Sequence, residues 1–391
     1  MSSIQPLKVF GEAFRRLRGG APGPLVPPAV LARADRILFI KHLAIGDFTY
    51  LQNCFKAFAE AFPHVAIHVW VDELRRTEDR AAWDQLKRYS LYDWLESCPC
   101  IKHVYRETYS PELFRQSIRA ARQQNYPLVV SLSILSTRKY AALAREISPD
   151  GFVAGIQDQR WFALRRRFAY LTNLDAGVDI EKKARAREHV SAIYARWFRR
   201  LFGCEIPEAA RYPFIRIPPR WDEYAGRQLA EWHFDAAGRA GRLILVNPHA
   251  KDERRCWPLE RVVELICVLR ERPAGRNDCF IVNSAPEKRE QTAAFFGARS
   301  LERVRLFSAE ENFFQLPAVL SRCDLAVSVE TSIMHLANAV HVPVVALMRR
   351  NNPEWAPIDR QHSVVVSTPQ RRQDVDAITT RQVVEALASF G

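Results

Sequence analysis

Arg36-Ile37-Leu38-Phe39-Ile40-Lys41, followed by Ile45-Gly46-Asp47, is the stretch on which the fold turns. Ile37 to Ile40 is a short unbroken apolar run, the pattern of a strand covered on both faces. Beyond Asp47, Phe48, Leu51, Phe55, Phe58 and Phe62 fall on one helical stripe, and Pro63 stops it. The alternation then continues: residues 64–71 predict a second strand, and 101–105, 128–132 and 152–156 predict further strands, the last being the final one of this half. Helices are expected near 81–97 and 111–124. Strands alternating with helices imply a parallel sheet covered on both faces.

The same rhythm restarts at Leu243. Strands are expected at 243–247, 279–283, 303–307, 325–329 and 342–348, with helices at 259–271, 287–296, 313–321, 332–340 and 380–389. Between the halves, 157–240 reads as helical and basic, with Arg160, Arg165, Arg166, Arg167, Lys182, Lys183, Arg185 and Arg187. It includes a helix at about 188–201 and a proline-bearing linker at 207–219. The 391 residues fit two domains at about 150 residues each. Residues 1–35 stand apart. Phe10, Phe14 and Leu17 share helical spacing beside Lys8, Arg15, Arg16 and Arg18, before Gly19-Gly20-Ala21-Pro22-Gly23-Pro24 ends the pattern. Such a helix can lie on anionic lipid or pack on its own domain.

Charge and motifs narrow the chemistry. There are 57 Lys and Arg against 44 Asp and Glu, a net charge of +13, which suits an acidic partner. A 48% hydrophobic composition excludes a disordered chain. No apolar run approaches the ~18 residues of a membrane span, and early charges argue against a secretory signal, so a cytoplasmic location is expected. The eight cysteines are scattered; Cys98-Pro99-Cys100 is neither a redox pair nor half a zinc knuckle, so reduced, packed thiols are expected. GxxxxGK[ST], HExxH and GxSxG are absent, and no GxGxxG follows an expected strand. The single Asp-x-Asp, Asp374-Val375-Asp376, reads better as a helix N-cap than as a metal motif. No helix-turn-helix, RRM signature or zinc finger supports nucleic-acid binding.

Three segments at the carboxyl ends of expected strands carry chemistry. Gly46 permits a turn before Asp47, which can cap the following helix or accept a proton from a hydroxyl. Asn247-Pro248-His249-Ala250-Lys251, closing with Arg254-Arg255-Cys256-Trp257-Pro258, offers cations beside helix N–H groups, either an anion site or a solvated basic loop. In Glu330-Thr331-Ser332-Ile333-Met334-His335, hydroxyls and helix N–H groups can hold phosphate oxygens, and Glu330 can accept from sugar hydroxyls. A lone helical histidine such as His335 is more often structural.

Taken in order, Arg36 to Asp47, Arg255-Cys256-Trp257-Pro258-Leu259-Glu260 and Glu330 to Ala337 resemble the glycosyltransferase family 9 heptosyltransferases of lipopolysaccharide core assembly. The resemblance runs from about Arg36 to the end. It implies an α/β fold of GT-B type: two Rossmann-like domains with parallel sheets facing across a cleft. Residues 36–208 would bind the acceptor and 209–391 the nucleotide sugar, with the last helix a candidate to pack back on the first domain. It further implies metal-independent inverting transfer of heptose from ADP-heptose, or of another sugar from another nucleotide, to lipopolysaccharide core or a related anionic glycolipid or glycan. Peripheral contact with the inner membrane would follow.

Residue by residue, Asp47 matches the family's proposed general base. Lys41, Leu43, Ala44 and Gly46 fall on the acceptor side. Lys251, Arg255, Glu287, Glu330, Thr331, Ser332 and His335 fall on the donor side. Glu330 replaces the usual Asp, Ser332 the usual Gly, Arg255 the usual Lys, and Leu43 and Ala44 replace small hydroxyl residues. These departures motivate an alternative: a catalytically altered relative that binds nucleotide sugars, or a transferase with another donor or acceptor.

Overall fold

The computed structural model describes residues 23–158, 172–180, 188–299 and 301–390. The amphipathic stretch around Phe10 to Leu17 and the basic clusters at 160–167 and 182–187 lie outside them. The chain divides into two compact units, Met1–Arg185 with Ser191–Arg211, and Ala186–Val190 with Tyr212–Gly391.

In the first unit β1 (Arg36–Lys41), β2 (Ala66–Val71), β3 (Ile101–Tyr105), β4 (Leu128–Ser131), β5 (Phe152–Gln157) and β6 (Ala176–Asp179) form one sheet in the order β3-β2-β1-β4-β5-β6. Every pairing is parallel. Ile37 to Ile40 are fully covered, as a strand flanked on both faces must be. The helices used below are α1 (Ile45–Ala61), α2 (Pro111–Gln123), α3 (Thr137–Ile147) and α4 (Val190–Phe202).

Three features differ from expectation. β6 follows β5, so 152–156 is not the last strand of this half. α3 is an addition, burying Tyr140, Ala141, Leu143, Ala144 and Ile147. The helix expected over 81–97 is broken into Trp83–Lys87 and Leu91–Ser97. At the break Tyr89 turns inward, and its hydroxyl donates to the Leu43 carbonyl at 3.2 Å.

One face of β1 is packed by aromatic rings from two helices. Phe39 stands 4.9 Å from Phe55 and 5.8 Å from Phe58 on α1, and 5.7 Å from Phe198 and 6.0 Å from Phe202 on α4. α4 ends at Gly203, whose φ of +76° is a left-handed conformation that glycine adopts without a side-chain clash. The chain before β1 is fastened there too, with Leu25 N–H donating to Arg200 O and Val26 N–H to Leu201 O.

The second unit repeats the scheme. β7 (Leu243–Asn247), β8 (Cys279–Asn283), β9 (Val304–Phe307), β10 (Leu325–Val329), β11 (Val344–Met348) and β12 (Ser363–Ser367) run parallel in the order β12-β11-β10-β7-β8-β9. β12 is an addition at the sheet edge. Its helices include α5 (Pro219–Glu231), α6 (Leu259–Glu271), α7 (Ser332–Ala339) and α8 (Thr380–Leu387). α8 lies on β11, β12 and α6 of this unit, with Val383, Val384 and Leu387 in its core. The capping role expected of Asp374 and Asp376 is not found. Thr379 caps α8 in a reciprocal box with Gln382, while Asp374 opens a separate single turn at Val375–Ala377 without a side-chain bond.

Numbered from its own first strand, each sheet has the order 3-2-1-4-5-6. Strand direction reverses its succession between β1 and β4, and again between β7 and β10. Ligands in open sheets of this order sit outside the carboxyl ends at that switch point. Asp47 follows β1, the basic loop follows β7, and Thr331 follows β10. Among the described residues no helix is long and apolar enough to cross a membrane.

Replacing Phe39 with Ala removes the ring that joins α1 and α4 to β1. It should destabilise the first unit by about 3–5 kcal/mol, read as an earlier unfolding transition in urea. An unshifted transition would show that this aromatic cluster contributes little.

Candidate active site

In the first unit the chemistry gathers where β1 ends and α1 begins. Asp47 is the third residue of α1, and its Oδ2 accepts the Ala44 N–H at 3.3 Å, closing the helix start. The alternatives for Asp47, cap or proton acceptor, are therefore compatible. Its other oxygen, Oδ1, is 3.0 Å from Lys41 Nζ and accepts the Tyr194 hydroxyl proton at 2.5 Å. Lys41 Nζ also donates to the Tyr194 oxygen at 3.1 Å and lies 4.7 Å from that ring's centre. The Lys41 side chain is 4% exposed and that of Asp47 15%, so this is a largely desolvated pair.

Burial alone would raise the Asp47 pKa. The Lys41 charge and the bonds from Tyr194 and Lys41 outweigh it and hold the carboxyl below its usual range. Asp47 is thus a carboxylate with Oδ1 saturated and Oδ2 bound by one long contact. Lys41, expected on the acceptor side, is turned inward onto Asp47. Leu43 is buried, Gly46 half-buried and Ala44 exposed. Beside them the His42 ring lies against Tyr140 at 6.3 Å, and burial lowers its pKa, keeping it neutral near pH 7. Tyr194 was not foreseen; it reaches Asp47 from a helix 147 residues downstream.

In the second unit the loop after β7 is locked by Trp257, whose N–H donates to Pro248 O at 2.8 Å and whose indole donates to Ile378 O at 2.9 Å. Asn247 at the end of β7 donates to Ser328 Oγ and Thr331 Oγ1, both at 3.2 Å, and accepts from Asn283 at 3.0 Å. This polar layer ties the ends of β7, β8 and β10 together. Thr331 caps α7, its hydroxyl accepting the Ile333 N–H at 3.3 Å. Ser332, half-buried, opens that helix.

Arg255 and Glu330 meet across these loops. Arg255 Nη1 stands 3.9 Å from Glu330 Oε1, and its Nε 3.9 Å from Asp252 Oδ2. Glu330 is nearly dry. Its Oε2 accepts the Arg349 N–H at 3.2 Å and its Oε1 the Asn352 amide at 2.6 Å. Arg349, also not foreseen, approaches Glu330 and Asp252 at 3.7 Å each. It follows β11 directly, so the rule that located the other segments, carboxyl ends of strands, could have found it. Lys251 and Glu287 are exposed on the loops after β7 and β8.

His335 is 2% exposed and packs at 6.1 Å from the Trp355 ring. Burial, then the nearby His189, pushes its pKa down to about 3, so it stays neutral. His249, pushed down to about 4 by burial and Lys288, contacts Thr292 Oγ1 at 3.0 Å. Neither histidine brings positive charge to the loops. Among the described residues no group of His, Cys, Asp and Glu is arranged to hold a metal ion.

Residues 219–383 match the model of glycosyltransferase family 9 (heptosyltransferase). A family 9 glycosyl transferase from Veillonella parvula DSM 2008 superimposes with a TM-score of 0.71 at 16% identity, over 91% of this chain and 97% of that one. For E. coli ADP-heptose lps heptosyltransferase II the values are 0.64, 17%, 91% and 98%. For E. coli heptosyltransferase WaaC with ADP-2-deoxy-2-fluoro heptose they are 0.59, 17%, 91% and 100%. No curated protein matches the chain by sequence. The fold of two six-stranded parallel sheets is shared with these structures over about nine-tenths of the chain, and residues 219–383 carry the likeness to glycosyltransferase family 9.

Proposed function

We propose that the protein transfers a sugar from a nucleotide diphosphate donor to a hydroxyl acceptor, with inversion and with fixed cations in place of a metal ion. The observation that carries this reading is the state of Asp47: an ionised, largely desolvated carboxylate with one oxygen saturated by Lys41 and Tyr194 and the other open to a proton.

In the proposed step the acceptor oxygen attacks the anomeric carbon and its proton passes to Asp47 Oδ2. The bond from that carbon to the diphosphate breaks, and its electron pair leaves on the diphosphate oxygen. Arg255 and the N–H groups that open α7 hold that charge. Lys251 and Glu287 are proposed to reach the donor from their loops, Glu287 toward the ribose. Ser332 and Thr331 line the phosphate path. Glu330 acts here by holding the Arg349-to-Asn352 segment. His335 shapes the floor as a neutral, packed ring. On the acceptor side Leu43, Ala44 and Gly46 border the attacking hydroxyl.

The donor best supported is ADP-heptose, because a similar solved structure is described with an ADP-heptose analogue. The acceptor we propose is a lipopolysaccharide core or related anionic glycolipid, met at the cytoplasmic face of the inner membrane. The surplus of 13 positive charges favours such a surface.

Asp47→Asn should lower kcat by about 10²–10⁴-fold while nucleotide-sugar affinity, measured by calorimetry, stays near wild type. Full turnover by that variant would remove the proposed base. The depressed pKa fixes a second outcome. A carboxylate held below its usual range stays ionised, and keeps its ion pair, until pH falls through that lowered value. Lys41→Met deletes the main counter-charge and leaves the Tyr194 hydrogen bond as the chief remaining opposition to burial, so the acidic limb of kcat/KM should move to higher pH. A limb that stays in place would show that Lys41 does not set the ionisation of Asp47.

A further inference from the structure

Arg349 and Arg255 share an unusual condition. Arg349 follows β11 and Arg255 lies in the loop after β7, while Glu330 follows β10, the strand between them. Their guanidinium groups carry about ten N–H donors between them. Among the described residues the single side-chain contact within hydrogen-bond distance is Arg255 Nη1 to the Glu330 carbonyl, at 3.5 Å. Nε of Arg255 and Nε of Arg349 are both shut off from solvent without an acceptor.

Glu330 and Asp252 stand nearby, yet all four approaches are 3.7–3.9 Å. A guanidinium built to rest on a carboxylate closes to about 2.7–2.9 Å. These carboxylates balance the charge at a distance and leave the donor atoms unfilled. The Arg349 side chain is only 13% exposed, so water does not readily fill that capacity. Glu330 meanwhile accepts the Arg349 main-chain N–H and the Asn352 amide. The backbone from which Arg349 projects is thereby fixed.

We infer that Arg349 is a second cation for the donor diphosphate, working with Arg255, and that Glu330 is its positioning residue. This rests on the glycosyl-transfer reading above and extends it by a residue outside the three sequence segments. As the bond to the anomeric carbon breaks, the charge arriving on the diphosphate is taken by planar N–H pairs on two neighbouring loops. Asp252 is held by Arg254 at 3.1 Å and Glu330 by the Arg349 main chain and the Asn352 amide, so Arg255 and Arg349 can turn toward the diphosphate without first losing a short salt bridge.

The test is calorimetric titration of the full chain with ADP, GDP, UDP and dTDP, followed by kinetics with the nucleotide sugar that binds. Arg349→Met should weaken the preferred nucleoside diphosphate by about 10–100-fold and lower kcat as well. Arg349→Lys should recover part of the affinity, and Arg350→Gln, on the exposed neighbour, should bind as wild type. Added guanidinium at millimolar concentration should partly restore turnover to Arg349→Ala, which a merely structural role would not allow. If wild type binds a nucleoside diphosphate and Arg349→Met, folded by circular dichroism, binds it equally, the inference is overturned and the transferase reading stands. If wild type binds none of the four, that reading fails with it.

Discussion

A lysine as dry as Lys41 needs its counter-charge close at hand, and that need organises the first unit. Removing either member of a buried pair leaves the other unpaired in a poor solvent, at a cost of about 3–5 kcal/mol. The pair also fixes geometry. Lys41 comes from the last position of β1, Asp47 from the first turn of α1, and Tyr194 from α4. Three elements are thereby registered on one carboxylate oxygen. Asp47 cannot rotate away without stranding an ammonium and a phenol, so the open oxygen keeps one orientation.

The loops of the second unit that carry Arg255 and Arg349 are arranged the opposite way. There the two guanidinium groups stand about an ångström beyond hydrogen-bond length from the Glu330 carboxylate. The tight pair holds the Asp47 carboxylate in one orientation, whereas the loose ones leave guanidinium N–H donors unfilled. The difference suits the two tasks proposed: one group must hold its position through the reaction, and the others must accept a ligand that arrives and departs. In both units the parallel sheet makes this possible, because it delivers every strand's carboxyl end to one edge.

Much of this was legible in the sequence, for identifiable reasons. Central strands such as β1, β7 and β10 are buried on both faces and therefore read as plain apolar runs. The edge strands β6 and β12, Ala-Gly-Val-Asp and Ser-Val-Val-Val-Ser, carry shorter apolar runs bounded by polar or small residues and lack that signal. Asp47 was legible because it follows a strand and a glycine. Its partner Tyr194 was not, since no local pattern announces a contact spanning 147 residues. Asp374 was misjudged as a cap because Thr379, with Gln382 three residues on, outcompetes it for the helix start. Arg349 carried no motif, only its place one residue past a strand.

The return of α4 to β1 has a consequence for dividing the polypeptide. The sheet of the first unit is complete at Asp179, and a fragment cut there would contain all six of its strands. It would nevertheless expose the Phe39 face to water and deprive Asp47 of its phenol, since Phe198, Phe202 and Tyr194 all come later. A piece that keeps these contacts must therefore reach beyond Phe202, and the first compact unit runs to Arg211, so a ribosome must release that helix before the carboxylate can be set.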